Sequence, residues 1–261
     1  MTSERFMMVI HRNCSKFTAT MDFFNKFLSK TLNKKQAISG RFFFLHIPKT
    51  AGTTFRHVLY NNIEDTYIYP LQSHLRDQGG TYLSMHNIRE KSPLILESGI
   101  IVGHYPIHFK DRLASDTQVI TFIREPIERT KSHIRHIISQ NTKFKNAQPK
   151  DVIKYCRPQL YNLQSRLLGY RPEHKNCESV INNINNLDFI GISEYFDSEI
   201  QRLNKHFGWQ LRYDHTMDMN LSNNKTKVQF SKEDLKIIQS YNEVDSKIYN
   251  FTMTSKLSSH N

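Results

Sequence analysis

The sequence predicts an α/β fold, a three-layer sandwich with a central parallel sheet flanked by helices. Three observations carry that prediction. Short apolar runs recur along the chain and end at a proline, glycine or charged residue. Helical stretches lie between them, as a parallel sheet requires because its crossovers must be long. No repeat and no Pro/Gly/Ser-rich linker divides the 261 residues, so a single domain is expected.

Residues 1–40 carry Phe23, Phe24, Phe27 and Leu28 at helical spacing and read as a peripheral helix ending near Ser39-Gly40. Phe42 to Ile47 is a continuous apolar run stopped by Pro48, the pattern of a strand buried on both faces. Thr53 to Asn62 follows as a helix with Phe55, Val58 and Leu59 inward. The stretch 63–93 is polar and without a clear period. Gly99 to His104 is a second strand and Val119 to Ile123 a third, ending at Arg124. Pro126 occupies a first helical turn, where its missing N–H is tolerated, and the helix runs to Gln140. A further helix is expected over 151–168, a fourth strand over Leu187–Ile192, and a helix from about Ser193 to Phe207. Residues 210–230 read as irregular. Ser231 then caps a last helix whose first turn is acidic.

Composition narrows the function. Lys and Arg number 36 against 24 Asp and Glu, a net +12, which points to anionic partners. The charge is uneven. Residues 1–60 hold 10 basic and 2 acidic residues and 121–180 hold 12 and 5, whereas 61–120 and 181–261 are close to neutral. Cys14, Cys156 and Cys177 are sparse and form no CxxC pair, against a zinc site or a disulfide scaffold. That usage and the lack of any apolar run approaching the ~20 residues of a membrane span predict a cytoplasmic protein.

The loop after the first strand carries the chemistry. It reads His46-Ile47-Pro48-Lys49-Thr50-Ala51-Gly52-Thr53-Thr54. Small Ala51 and Gly52 let backbone N–H groups approach an anion, Thr50, Thr53 and Thr54 add hydroxyls, and the helix N-terminus adds its dipole. Lys49 adds an ammonium. In a Walker A loop the lysine follows the second glycine; here Lys49 precedes Gly52, which argues against a P-loop NTPase with its Mg²⁺.

The segment FFFLHIPKTAGTTF resembles the 5′-phosphosulfate loop of sulfotransferases that use 3′-phosphoadenosine 5′-phosphosulfate (PAPS), most closely the branch of heparan sulfate 2-O- and 6-O-sulfotransferases and their bacterial relatives. The resemblance spans roughly 42–250 and implies the P-loop-like sulfotransferase fold, with 1–40 as a basic extension outside it. It also implies a strand ending in Arg, with Ser eight positions later, as the 3′-phosphate site. Arg124 and Ser132 match that register, downstream of the loop. Arg124 can grip a phosphate bidentately. The neighbouring Glu125, Glu128 and Arg129 read instead as a salt-bridged helix start.

Sulfuryl transfer needs a base, and histidine is the default near neutral pH. Of thirteen histidines, His104 stands at a strand end in a Gly-His pair that resembles the family's base; His108 is the second candidate and His46 reads as buried structure. The resemblance further implies that 162–166 support the acceptor pocket, that 187–203 lie near the adenine, and that Lys225 covers the nucleotide. The expected reaction is transfer of a sulfuryl group from PAPS to a hydroxyl of a carbohydrate or glycolipid, without metal, with Lys49 stabilising the leaving phosphate. A kinase-like phosphotransferase would need a Walker A loop and Mg²⁺ carboxylates. A nucleic-acid binder would need exposed aromatics among the basic residues, and the aromatics here sit at core positions. A non-catalytic nucleotide-binding relative is opposed by the presence of Lys49, His104, Arg124 and Ser132 together. For the basic segment 1–41 an acidic acceptor, peripheral contact with a membrane surface and simple solvation stay open.

Overall fold

The computed structural model describes residues 35–69, 99–144, 147–174, 177–217 and 228–258. The chain divides into two units, Met1–Gln36 and Ala37–Asn261. The predicted N-terminal helix lies outside the described residues over 1–34; residues 35–40 are not helical.

Within Ala37–Asn261, five parallel strands form one sheet. They are β1 (Arg41–Leu45), β2 (Ile68–Tyr69), β3 (Gly99–Gly103), β4 (Gln118–Ile123) and β5 (Phe189–Ile192), in spatial order β2-β3-β1-β4-β5. The apolar runs are unbroken because both faces are covered. Phe42, Phe44, Ile120 and Phe122 face one core, with Phe55, Val58 and Leu59 of helix α1 (Gly52–Asn62). Phe43, Leu45, Val119 and Ile123 face the other core, beneath Val180 and Ile184.

After β4, helix α2 (Pro126–Gln140) begins at Glu125, whose carboxylate accepts from the N–H groups of Ile127 and Glu128. This corrects the expected pairing with Arg129. Glu128 pairs instead with Lys131, and Arg129 is fully buried. The continuous helix expected over 151–168 is three short ones, α3 (Pro149–Tyr155), α4 (Arg157–Leu160) and α5 (Leu163–Leu167). The chain breaks at Cys156 and at Asn162, whose φ of 42° is left-handed and incompatible with helix. Helix α6 (Glu178–Asn185) precedes β5, and α7 (Phe196–Phe207) follows it. Ser231 caps α8 (Lys232–Tyr241) in a reciprocal box with Asp234, as expected. That last segment is two helices, because α9 (Glu243–Ser258) starts afresh after Asn242. No helix among the described residues is long and apolar enough to cross a membrane.

The order β2-β3-β1-β4-β5 places a topological switch between β1 and β4, where open α/β sheets bind ligands outside the carboxyl ends. The loop 46–51 leaves one side of that switch, and Arg124 leaves the other.

Candidate active site

The backbone of the first loop is strained in a particular way. Lys49 and Ala51 both have left-handed φ, 71° and 62°, which for residues with a Cβ costs about 1–2 kcal/mol each. Turns of this kind aim successive N–H groups into one concavity, and stored strain clusters at ligand sites. The Thr50 hydroxyl donates to the Ile47 carbonyl at 2.9 Å and stitches the turn shut. The first helical bond of α1 runs from the Phe55 N–H to the Ala51 carbonyl. The N–H groups of Gly52, Thr53 and Thr54 therefore have no helical partner. The hydroxyls of Thr53 and Thr54 likewise bond to no described residue.

Gly52 is obligatory for a steric reason. A Cβ there would lie 2.0 Å from Cδ2 of the His46 ring. That ring is buried, stacked on Phe44 at 5.5 Å and lying 4.2 Å from the ring of His104. His104 follows β3, and its Nδ1 lies 2.6 Å from the His46 carbonyl oxygen. A carbonyl can only accept, so the Nδ1 carries the proton and the lone pair of neutral His104 is on Nε2. Burial lowers the His104 pKa; the His46 hydrogen bond opposes the shift and the charge of Arg56 adds to it.

Lys49 has no carboxylate within ion-pair distance among the described residues. Its pKa is lowered by burial and then by Arg124. Arg124 sits across the switch, its guanidinium 3.4 Å from the Lys49 carbonyl and its Nε 3.9 Å from Glu194. Gln164 fixes the backbone of Arg124 from both sides: its carbonyl accepts from the Arg124 N–H at 2.8 Å and its amide donates to the Arg124 carbonyl at 2.9 Å. Ser132 is half-buried on α2, two turns in, and its hydroxyl has no hydrogen-bond partner among the described residues.

Two histidines that the sequence reading did not single out join this group. His133 and His136 share the Ser132 face of α2, and both feel the charge of Lys49. Burial first, then Arg129, Lys49, His136 and His104, depress the His133 pKa to about 3. The helical spacing from Ser132 was visible, but their proximity to Lys49 depends on how α2 packs. His108 is not brought to this place. It is exposed and lines a separate cleft of about 730 Å³ with Lys110, Asp111 and Arg171. Lys225 lies outside the described residues. The segment 162–166 acts as a bracket: besides Gln164, Asn162 accepts from the N–H groups of Val244 and Asp245, and Ser165 donates to Asp245.

No curated protein sequence matches the chain. Among solved structures, the crystal structure of a sulfotransferase from Alicyclobacillus acidocaldarius is similar, with 11% identity over 80% of this chain and 93% of that one and a TM-score of 0.46. Residues 35–252 match the family described as the sulfotransferase family. That span begins before β1 and ends within α9, so it contains the loop 46–51, the end of β4, the α2 face and the bracket 162–166; the chain belongs to the sulfotransferase family.

Proposed function

We propose that the chain transfers the sulfuryl group of PAPS to an acceptor hydroxyl of a carbohydrate or glycolipid, with the donor's two anionic ends held on the two sides of the switch. One observation carries this reading above the others. Lys49 and Arg124 are packed together closely enough for Arg124 to lower the Lys49 pKa, and no carboxylate lies within ion-pair distance of Lys49 among the described residues. Two cations in that position repel one another, and a multiply charged anion between them relieves the repulsion. The donor set suits PAPS. The loop N–H groups, the Thr53 and Thr54 hydroxyls and Lys49 would hold the phosphosulfate, while Arg124 and Ser132 would hold the 3′-phosphate.

PAPS supplies a sulfuryl group on a phosphate leaving group. Around it, Nε2 of His104 accepts the proton of the acceptor hydroxyl as the new oxygen–sulfur bond forms. The bond from sulfur to the bridging phosphate oxygen breaks, and Lys49 with the loop N–H groups stabilises the charge that develops on that oxygen. Depressed pKa values keep His104 unprotonated near neutral pH, ready to act as base.

Calorimetry with 3′-phosphoadenosine 5′-phosphate (PAP) against AMP tests the reading. PAP should bind at least about tenfold more tightly, because AMP lacks the 3′-phosphate that Arg124 and Ser132 are assigned to hold. Equal affinity, or none for either, overturns it.

A further inference from the structure

An open cleft of about 620 Å³ runs beside the phosphate loop, between Pro48 and α2 on one side and α4 on the other. Its size suits one or two sugar rings. The polar side chains that line it are His133, His136, Gln140, Asn141, Thr142 and Gln159, all without formal charge when the histidines are neutral. Burial lowers the pKa of both histidines, so neutral is their state at pH 7. Phe144 contributes an apolar wall. The basic side chain between Thr142 and Phe144 is already engaged, since Lys143 rests over the rings of Phe144 and Tyr155. A strongly basic protein thus presents, next to its reactive loop, a cleft whose described lining has no cation.

His133 has a defined proton position in that cleft. Arg129 is fully buried behind it, and a guanidinium nitrogen of Arg129 lies 3.4 Å from Nδ1 of His133. Arginine can only donate, so Nδ1 of His133 must accept. The ring's proton is then on Nε2, which has no hydrogen-bond partner among the described residues. Arg129 holds this tautomer without a carboxylate within ion-pair distance, among the described residues, that could reverse it.

Resting on the sulfotransferase reading above, we infer that this cleft is the acceptor subsite and that it takes a neutral sugar ring, with His133 donating from Nε2 to a ring hydroxyl. The array of neutral donors and acceptors matches a polyhydroxylated ring. It offers no counter-ion to a carboxylate or sulfate on the ring being modified, and desolvating such a charge without one is unfavourable. Lys49 and Arg124 stand outside the lining and answer to the nucleotide.

Cys156 lines the same cleft and gives a readout that does not depend on turnover. Alkylation of Cys156 by iodoacetamide is followed by peptide mass spectrometry, with Cys177 in the same digest as the control. The probes are the 4-nitrophenyl β-glycosides of glucose, galactose and N-acetylglucosamine, the corresponding glucuronide, and PAP. At least one neutral glycoside should slow alkylation of Cys156 about threefold, the factor for two-thirds occupancy, with Cys177 unchanged. The glucuronide and PAP should leave the rate at Cys156 unaltered. Protection by the glucuronide equal to that by the best neutral glycoside overturns the neutral class. Protection by PAP alone assigns the cleft to the nucleotide, and protection by none of the neutral three overturns the subsite.

His133→Phe should lose the protection and His133→Gln, which keeps an N–H donor, should retain it, while both bind PAP within about twofold of the parent. Full protection in His133→Phe removes the donor role. Failure of the parent chain to prefer PAP over AMP would overturn the proposed donor instead, and the Cys156 result would still report occupancy of the cleft.

Discussion

Gln164 closes a two-hydrogen-bond ring with the backbone of Arg124, at 2.8 and 2.9 Å, across forty residues of sequence. The ring fixes the direction in which the chain leaves β4, and so where the Arg124 guanidinium can reach. Gln164→Leu fills the space and leaves two inward backbone groups unpaired, at about 1–3 kcal/mol each. We expect a lower melting temperature and a weaker PAP complex, with AMP binding changed far less. A variant that melts early yet keeps its PAP preference would separate Gln164 from the anion site.

Lys49→Ala removes the ammonium assigned to the leaving phosphate. The expected loss in kcat is about 10²–10³-fold, the size seen when one preorganised donor is removed from an oxyanion site. Single-turnover measurement of sulfated product checks it. A kcat within tenfold of the parent would move that stabilisation to the loop N–H groups.

His104→Ala should lower kcat by about 10²–10⁴-fold while PAP affinity stays near that of the parent. Because burial lowers the His104 pKa, activity of the parent should be on its plateau at pH 7 and fall on an acid limb centred below 6.5. The alanine variant should lose that limb. If its residual activity follows the same limb, another group is the base.

Gly52→Ala tests the wedge formed by the His46 ring. The added methyl would sit within 2.0 Å of that ring and force the loop or the imidazole to move. Overpacking of this kind costs about 1–3 kcal/mol, and calorimetry should show weakened PAP binding together with a lower melting temperature.

The buried histidines predict the acid stability of the fold. Burial depresses His46, His104 and His133 below their ordinary value, His133 to about 3. Below pH 6.5 the unfolded chain takes up protons that the folded chain refuses. Stability should therefore be complete above pH 7 and decline as pH falls, by up to about 1.4 kcal/mol per pH unit for each such group. Thermal melts from pH 8 to 4 read this directly, and His133→Phe should flatten the slope.

The central strands were legible because burial on both faces writes an unbroken apolar run, and β1, β3 and β4 fell within a residue or two of expectation. β2 was not, since Ile68 and Tyr69 are a two-residue strand within a polar stretch. The turn between β1 and α1 was legible because its residues, Lys49 to Thr54, are contiguous. The resemblance marked Gln164 only within 162–166, as support of the acceptor pocket, and His133 and the break at Asn162 were not legible. Gln164 matters through a partner forty residues away, His133 through a buried Arg129 that read as part of a salt-bridged helix start, and Asn162 through a left-handed φ that periodicity does not report.

The bracket formed by Asn162, Gln164 and Ser165 is anchored about eighty residues downstream. Asn162 and Ser165 bond to residues 244–245, and the Gln164 N–H donates to Asp245. The support that aims Arg124 therefore depends on residues made about eighty positions later. A chain whose synthesis has stopped short of residue 244 contains the residues of all five strands and of the loop 46–51, but not the partners that brace residues 162–165. The brace behind Arg124 can therefore close only once α9 has begun to leave the ribosome, later than the strands it serves.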